Sequence, residues 1–328
     1  MKSAATIIAM IVALVLLPVQ ASHAGWLSDV FKGASKQEKH SRQDKPSKQD
    51  KSSKPDKSSK RVGAKPAARR AAAMLATKPP APKLSAKPAV SKPAAAVCNP
   101  SKFRIVLDVG HTAASEGANS ARNVAEFVFN LRLTQRIEQK LKSAGFAETR
   151  LLLTEGKARA SLVKRVDAAN KLAANLFLSI HHDSVPNKFL ENWEFEGRKS
   201  RFSDRFSGYS LFVSRDNPDF KTSLSFAELL GREMKAQGLR YADQYSQTIM
   251  GRYQHPLLNR ETGVYSYDQL IVLKKTRMPA VLLEAGSIIN RDEELKMNSP
   301  ERLDIISSGV TAAVREFCDP RWGILGPL

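Results

Sequence analysis

The sequence predicts an α/β domain at residues 98–328, in which a mixed, mostly parallel sheet of about six strands is sandwiched between helices. Apolar runs of strand length alternate there with longer segments of helical periodicity. Histidines and carboxylates follow several of the apolar runs directly, as expected at the carboxyl ends of parallel strands. Two cysteines bracket this part of the chain, which is long enough for one sizeable core. We therefore expect a single domain.

The first predicted strand and helix establish this pattern. Residues 103–107 are a short apolar run rich in β-branched residues, and Asp108-Val109-Gly110 turns the chain out of it. The following segment carries apolar residues in steps of four, which predicts a helix that ends near Gly145. The stripe consists of Ala125, Phe129, Leu133, Ile137 and Leu141.

The later elements repeat the alternation. Further strands are predicted at residues 149–154, 175–180, 209–214 and 279–283, with a short edge strand at 270–273. Further helices are predicted at residues 160–174, 223–237 and 301–317, and Gly238 and Ser299-Pro300 are typical of a helix end and a helix start. Residues 185–206 and 240–268 show no clear period, so we expect two irregular segments, the first a long loop beside the site.

Residues 1–24 have the pattern of a secretory signal peptide. A Met-Lys start precedes an apolar core at residues 7–19 and the small-x-small site Ser22-His23-Ala24. An uncleaved anchor is the alternative, although the apolar run is shorter than the roughly 20 residues that a membrane span needs. We therefore expect export across the inner membrane, with cleavage after Ala24 and a periplasmic location.

Residues 25–97 are predicted to be a disordered basic tether. Residues 32–97 hold 18 Lys and Arg against 4 Asp and Glu, so they supply +14 of the formal net charge of +20. Large apolar residues are almost absent, and such a segment cannot offset the entropy of folding. The charge keeps a linker solvated and expanded, or else attracts it weakly to anionic envelope surfaces. Nucleic acid is not an expected partner after export.

Cys98 and Cys318 are the only cysteines of the chain. In an exported protein they have one pairing available, which would tie the lead-in of the first strand to the last helix. Closing so long a loop would add on the order of 4–5 kcal/mol in the chain-entropy account of disulfides. Two unpaired buried thiols are the alternative.

Side chains that bind metals or move protons follow three of the predicted strands. If these strands are neighbours in a parallel sheet, the side chains meet at one edge. Two histidines and one carboxylate form the ligand set of an open catalytic zinc site, and a spare carboxylate would serve as its acid and base. The residues are His111, His181-His182-Asp183 and Glu284 after the strands, and Glu126 in the first turn of the first helix.

Several of these residues have two interpretations. His181 and His182 are adjacent on an extended chain, so only one of them faces a metal easily. The other, or Asp183, would orient a ligand or contact substrate. Asp108 would orient a histidine ligand or simply form a turn. His255, in a polar loop, would reach the substrate or be solvated.

Five segments resemble the zinc-dependent N-acetylmuramoyl-L-alanine amidases, which are bacterial cell-wall hydrolases. The segments are I-V-L-D-V-G-H at 105–111, E-F-V-F-N-L at 126–131, S-L-V-K-R-V-D-A-A-N at 161–170, L-F-L-S-I-H at 176–181 and M-P-A-V-L-L-E-A-G-S-I-I-N at 278–290. The resemblance implies one zinc ion held by His111, Glu126 and His181, with Glu284 as the general base. Val109 departs from the proline that is common in the family.

The resemblance implies an exported peptidoglycan hydrolase that cleaves the amide between N-acetylmuramic acid and L-alanine and takes part in cell division. One alternative is a zinc carboxypeptidase or endopeptidase acting on the stem peptide, because hydrolysis of any amide uses the same parts. Another is a catalytically silent wall-binding scaffold. The resemblance also implies an activator protein of the zinc-less endopeptidase-like type, with residues 185–206 or 240–268 as a movable cover. Two ordinary cleft loops are the alternative.

Overall fold

The computed structural model describes residues 97–321. The predicted signal peptide and all but the last residue of the predicted tether lie outside the described residues. Within residues 97–321, no helix combines the length and the apolar character that a membrane span requires.

The described part of the chain alternates strands and helices. The strands are β1 (Ile105–Val109), β2 (Thr149–Leu152), β3 (Leu176–Asp183), β4 (Glu191–Phe195), β5 (Arg198–Phe202), β6 (Ser210–Val213), β7 (Leu257–Asn259), β8 (Val264–Ser266) and β9 (Ala280–Ser287). The α-helices are α1 (Glu126–Ser143), α2 (Ala158–Lys171), α3 (Phe220–Ala236), α4 (Ile271–Lys274), α5 (Arg291–Met297) and α6 (Pro300–Cys318).

Seven strands form the main sheet in the order β2-β1-β3-β9-β6-β8-β7. The first four are mutually parallel, β6 is antiparallel to β9, β8 is parallel to β6, and β7 is antiparallel to β8. The predicted mixed, mostly parallel sheet between helices is confirmed, with seven strands rather than about six. Because β1, β3 and β9 are parallel neighbours, their carboxyl ends meet at one edge.

Two apolar cores cover the faces of the sheet. Successive strand residues point to opposite faces, so Ile105 and Leu107 of β1 enter one core and Val106 enters the other. The first core contains the buried faces of α1, α3 and α6, and the second contains those of α2 and α4. The sheet is therefore buried on both sides, which explains the continuous apolar runs of its central strands.

Three predicted segments differ from the structure. Residues 270–273, predicted as an edge strand, are instead the cap residue Leu270 and most of the short helix α4, because an apolar run of that length fits either element. Residues 185–206, predicted as a loop, contain the antiparallel hairpin β4–β5. Residues 240–268, predicted to be irregular, contain β7, β8 and two 3-10 helices. Strand β8 pairs with β6, a distant partner that local periodicity does not reveal.

Two helix ends follow the capping rules, and a third lies at a different residue from the one predicted. Ser299 accepts a hydrogen bond from the Arg302 backbone N–H at 3.1 Å, and Pro300 begins α6. Gly238, with φ +81°, follows the end of α3. The helix predicted at residues 160–174 instead ends at Lys171, and Ala173 is exposed with φ 45°.

A disulfide between Cys98 and Cys318 joins the start of the described chain to the end of α6. Their Cα atoms are 5.0 Å apart, and the Cys98 backbone N–H donates to the Cys318 carbonyl at 2.8 Å. The ring of Phe317 packs beside that of Phe103, 6.2 Å between centroids. The bond therefore holds the segment that enters β1.

We predict that replacing both cysteines by serine lowers the free energy of unfolding by about 2–5 kcal/mol, because the unfolded chain regains the freedom of a very long loop. Urea unfolding of the oxidised protein and of the variant measures this difference. Wild type treated with reductant is the matched control and should unfold like the variant. Equal stability of the oxidised and reduced wild type would contradict the prediction.

Candidate metal centre

Three side chains meet at the carboxyl edge of β1 and β3. Glu126 bridges two histidines, with its Oε2 2.9 Å from His111 Nε2 and its Oε1 3.0 Å from His181 Nδ1. One ligand atom from each residue lies within 4.8 Å of the others. Two imidazole nitrogens and a carboxylate oxygen are ligands that zinc binds in proteins. Three protein ligands leave the fourth coordination position of zinc open. The residues present therefore fit a catalytic metal ion.

The backbone of His111 is held by a buried arginine. His111 lies two residues past β1 with φ 67°, a left-handed conformation that is uncommon for a residue with a side chain. Arg165 of α2 donates to the carbonyl oxygen of His111 and, at 2.6 Å, to that of Val109. Asp108 accepts from Arg165 at 2.8 Å and from Ser179 Oγ at 2.7 Å. Asp108 thus acts on the His111 backbone through Arg165.

The Glu126 carboxylate is positioned by donors from two directions. It is buried, and a buried carboxylate is costly unless donors or cations meet it. Asn130, one helical turn later, donates to Glu126 Oε1 and to the Gly110 carbonyl, both at 3.1 Å. The Ala118 backbone N–H donates to Oε2 at 3.2 Å. Asn130 therefore couples the carboxylate to the turn that carries His111.

His182 faces away from His181, as alternation along a strand requires. Its Nδ1 lies 2.8 Å from Asn130 Oδ1, and its ring packs on Phe129 with centroids 5.5 Å apart. Since Asn130 accepts with that oxygen, His182 donates from Nδ1. His182 thus donates to Asn130, and Asn130 in turn donates to Glu126.

Electrostatics favours the charge states that a metal binds. Burial alone would raise the pKa of Glu126, but the charge and hydrogen bond of His111, with those of His181, hold it well below its usual value. Burial lowers the pKa of His181 and takes that of His182 to about 3. A metal ion binds the ionised carboxylate and the unprotonated imidazole, and the shifts in the pKa of Glu126 and His181 are both in the direction of these forms.

Two glycines allow the ligand side chains to approach the backbone closely. A Cβ on Gly110 would lie 2.6 Å from Cε1 and Nε2 of His181. A Cβ on Gly117, where φ is +84°, would lie 2.5 Å from Glu126 Oε2 and 2.8 Å from His111 Nε2. The backbone at these two positions therefore forms a cradle that any larger residue would fill.

Glu284 lies beside His181, because the two residues are register partners in β9 and β3. Its Oε2 is buried and has no hydrogen-bond partner among residues 97–321. Burial, and next the negative charges of Asp183 and Glu126, raise the pKa of Glu284 well above its usual value. A carboxyl group whose pKa is raised takes up a proton more readily than an ordinary glutamate does.

Asp183 and His255 lie in the same cleft but have partners within the protein. The Tyr245 hydroxyl donates to Asp183 Oδ1 at 2.5 Å, and burial raises the pKa of Asp183 to about 7. His255 Nδ1 is 3.2 Å from the Ser266 carbonyl, and the His255 ring packs on Tyr267 at 4.4 Å. Burial lowers the pKa of His255 to about 4, so this imidazole is neutral at physiological pH. It forms part of an aromatic wall.

The cleft has a volume of about 800 Å³ and contains all the predicted ligands together with Glu284. Sequence reasoning missed Asn130 and Tyr245 and gave Arg165 no role at the site. The sequence does contain a sign of Asn130, because this polar residue lies one turn after Glu126 on a helix face that is mostly apolar. Arg165 and Tyr245 reach the site only through tertiary packing.

Comparisons with known proteins agree with this architecture. The sequence profile of the N-acetylmuramoyl-L-alanine amidase family matches residues 105–316. The amidase AmiA of Escherichia coli is 24% identical over 239 residues, which cover 65% of this chain and 75% of AmiA. AmiA of Salmonella typhimurium is 26% identical over 220 residues, which cover 59% of this chain and 68% of that protein.

Solved structures show the same fold. The amidase Ami1 of Mycobacterium smegmatis superposes with a TM-score of 0.52 and 19% identity, over 68% of this chain and 99% of Ami1. Ami1 of Mycobacterium abscessus, in its apo form, gives a TM-score of 0.50 and 21% identity, over 66% and 98% of the two chains.

We predict that Gly110→Ala weakens metal binding about 10- to 100-fold, because the new methyl group displaces the His181 ring. Competition with a chromophoric chelator measures the affinity. The control is Gly309→Ala, whose added Cβ would meet its nearest neighbour at an ordinary 3.5 Å. This control should bind metal like wild type, and equal affinities of all three proteins would refute the cradle.

Proposed function

This chain belongs to the N-acetylmuramoyl-L-alanine amidase family, and from this premise we propose the reaction that it performs. The enzyme is an exported zinc hydrolase that cleaves the amide between N-acetylmuramic acid and the L-alanine of the peptidoglycan stem. The observation that carries the proposal is the cluster of His111, Glu126 and His181, with Glu284 paired to His181 across two parallel strands.

His111, Glu126 and His181 would hold the zinc ion, with one ion per domain. Zinc in such a site supplies a Lewis acid for the scissile carbonyl and lowers the pKa of water to about 7. Asn130 and Arg165 keep the ligand side chains in place before substrate arrives, so that little reorganisation is needed in the reaction.

Glu284 serves as general base and then as general acid. Its carboxylate takes the proton of the attacking water and returns it to the amide nitrogen of L-alanine, which leaves as the free amine of the stem peptide. The raised pKa of Glu284 suits both steps, because the group takes up the proton of water more readily than an ordinary glutamate and holds it until the amide nitrogen accepts it. Asp183, held by Tyr245, is a neighbouring carboxyl group whose charge adds to this shift.

The amidase reaction is favoured over the alternatives from the sequence. Stem-peptide carboxypeptidase or endopeptidase activity would use the same ligands, but the family match supports the bond to N-acetylmuramic acid. A catalytically silent scaffold would not need three candidate metal ligands and a general base in one cleft.

Export, the tether and control by a partner complete the proposal. Residues 1–24 would direct the chain to the periplasm, and residues 25–97 would give weak contact with anionic envelope surfaces. Residues 185–206 and 240–268 both contribute to the cleft wall, so a zinc-less endopeptidase-like activator acting on either segment would change substrate access during cell division.

We predict that Glu284→Gln retains the metal and loses turnover by about 10²- to 10⁴-fold, because the amide keeps the shape of the side chain and cannot carry the proton. The assay digests purified sacculi and identifies new L-alanine amino termini by mass spectrometry. Metal content is measured on the same sample. Turnover at the wild-type rate would remove Glu284 from the proposed role.

Glu126→Ala is the contrasting variant, and it should lose metal and turnover together. The substitution removes the carboxylate that lies between the two imidazoles, so His111 and His181 are the only ligands left to the metal ion. Inductively coupled plasma mass spectrometry of the dialysed proteins distinguishes the two variants. If Glu126→Ala retains one zinc per chain, the proposed ligand set is wrong.

A further inference from the structure

The hairpin β4–β5 presents two different faces. Cross-strand pairs place Trp193 opposite Ser200 and Asn192 opposite Arg201. Residues that are paired share a face, and successive residues along a strand point to opposite faces. On one face, the Trp193 indole N–H and the Ser200 hydroxyl both donate to the Ala121 carbonyl at 2.8 Å. The other face, with Asn192, Lys199 and Arg201, lines the catalytic cleft.

The packed face is anchored to the loop that covers the metal ligands. The Arg122 guanidinium lies 5.7 Å from the centroid of the Trp193 ring and forms an ion pair at 2.5 Å with the buried Glu294. The Asn123 side chain donates to the Lys199 carbonyl at 3.3 Å. This loop continues into Glu126, and its Ala118 N–H donates to that carboxylate. The hairpin is therefore a fixed wall of the site.

The cleft face of this wall carries uncompensated positive charge. Among residues 97–321, neither Lys199 nor Arg201 has a side-chain hydrogen bond or a salt bridge. Glu194 lies opposite Lys199 in the ladder but forms no ion pair with it and does not line the cleft. The acidic residues of the cleft lining are Glu126, Asp183 and Glu284, all of them at the chemical centre. Lys199 is exposed, whereas Glu126 and Asp183 are buried, so the hairpin carries the more accessible charge of the cleft lining.

We propose that Lys199 and Arg201 form a subsite for the free carboxylates of the stem peptide. This inference rests on the proposed function, in which the leaving group is the peptide that begins with L-alanine. Stem peptides carry free carboxylates beyond L-alanine unless these are amidated. Lysine and arginine on a fixed strand, without competing partners, match such groups in charge and hydrogen bonding. The enzyme therefore prefers the acidic stem to the amidated one.

The test uses two soluble disaccharide muropeptides that differ only in whether the carboxylate next to L-alanine is free or amidated. Wild type should show a lower KM for the free acid, and the preference should shrink at high ionic strength because exposed charges are screened. In the double variant Lys199→Gln/Arg201→Gln, KM for the free acid should rise about 3- to 10-fold with kcat unchanged. KM for the amidated substrate should stay within about twofold of wild type.

Arg198→Gln is the matched control, because Arg198 neighbours Lys199 on the same strand, points to the opposite side and does not line the cleft. It should behave like wild type on both substrates. The subsite would be overturned if wild type had equal KM values for the two substrates. It would also be overturned if the double variant raised KM equally for both substrates. Failure of wild type to release a stem with an L-alanine amino terminus from either substrate would overturn the proposed function itself.

Discussion

The rest of the site depends on one buried carboxylate. Glu126 lies at the start of α1, away from solvent, and its two oxygens are each directed at a different imidazole. An ion in such a place is stable only when donors and cations surround it. Asn130, Ala118 and the two histidines provide them in this protein. A metal ion held by Glu126 and the two histidines would complete the compensation.

The sheet explains why these groups can meet although they are far apart in sequence. His111 follows β1, His181 lies near the carboxyl end of β3, and Glu284 lies in β9. The strands β1, β3 and β9 are adjacent and parallel. Both faces of the sheet are covered by apolar cores, so the strands move little relative to one another. The disulfide between Cys98 and Cys318 fastens the entry to β1. The side chains at the carboxyl edge of the sheet are therefore held by a rigid backbone.

Much of this arrangement follows from local sequence patterns. The apolar runs of β1, β3 and β9 and the polar residues that follow them predict a parallel sheet with a reactive edge. Alternation along a strand also places His181 and His182 on opposite sides of β3. Local patterns do not contain the partners of Asn130 and Arg165, because those contacts arise only when α1 and α2 pack on the sheet.

The hairpin β4–β5 shows the same limit more clearly. Its residues are polar, aromatic and charged, and its strands pair with each other outside the main sheet. What orders the hairpin is the stacking of Trp193 with Arg122 and Arg291 and its bonds to Ala121, all distant in sequence. A segment that looks irregular by periodicity is therefore a fixed wall of the cleft, and the charges on it bear on substrate choice.

The most direct test of the account is anomalous diffraction at the zinc absorption edge from crystals of the zinc-loaded protein. We expect one strong peak, about 2.0–2.2 Å from a ring nitrogen of His111, a ring nitrogen of His181 and a carboxylate oxygen of Glu126. A peak elsewhere in the molecule, or one that lacks any of these three ligands, would contradict the metal centre on which the proposed hydrolysis depends.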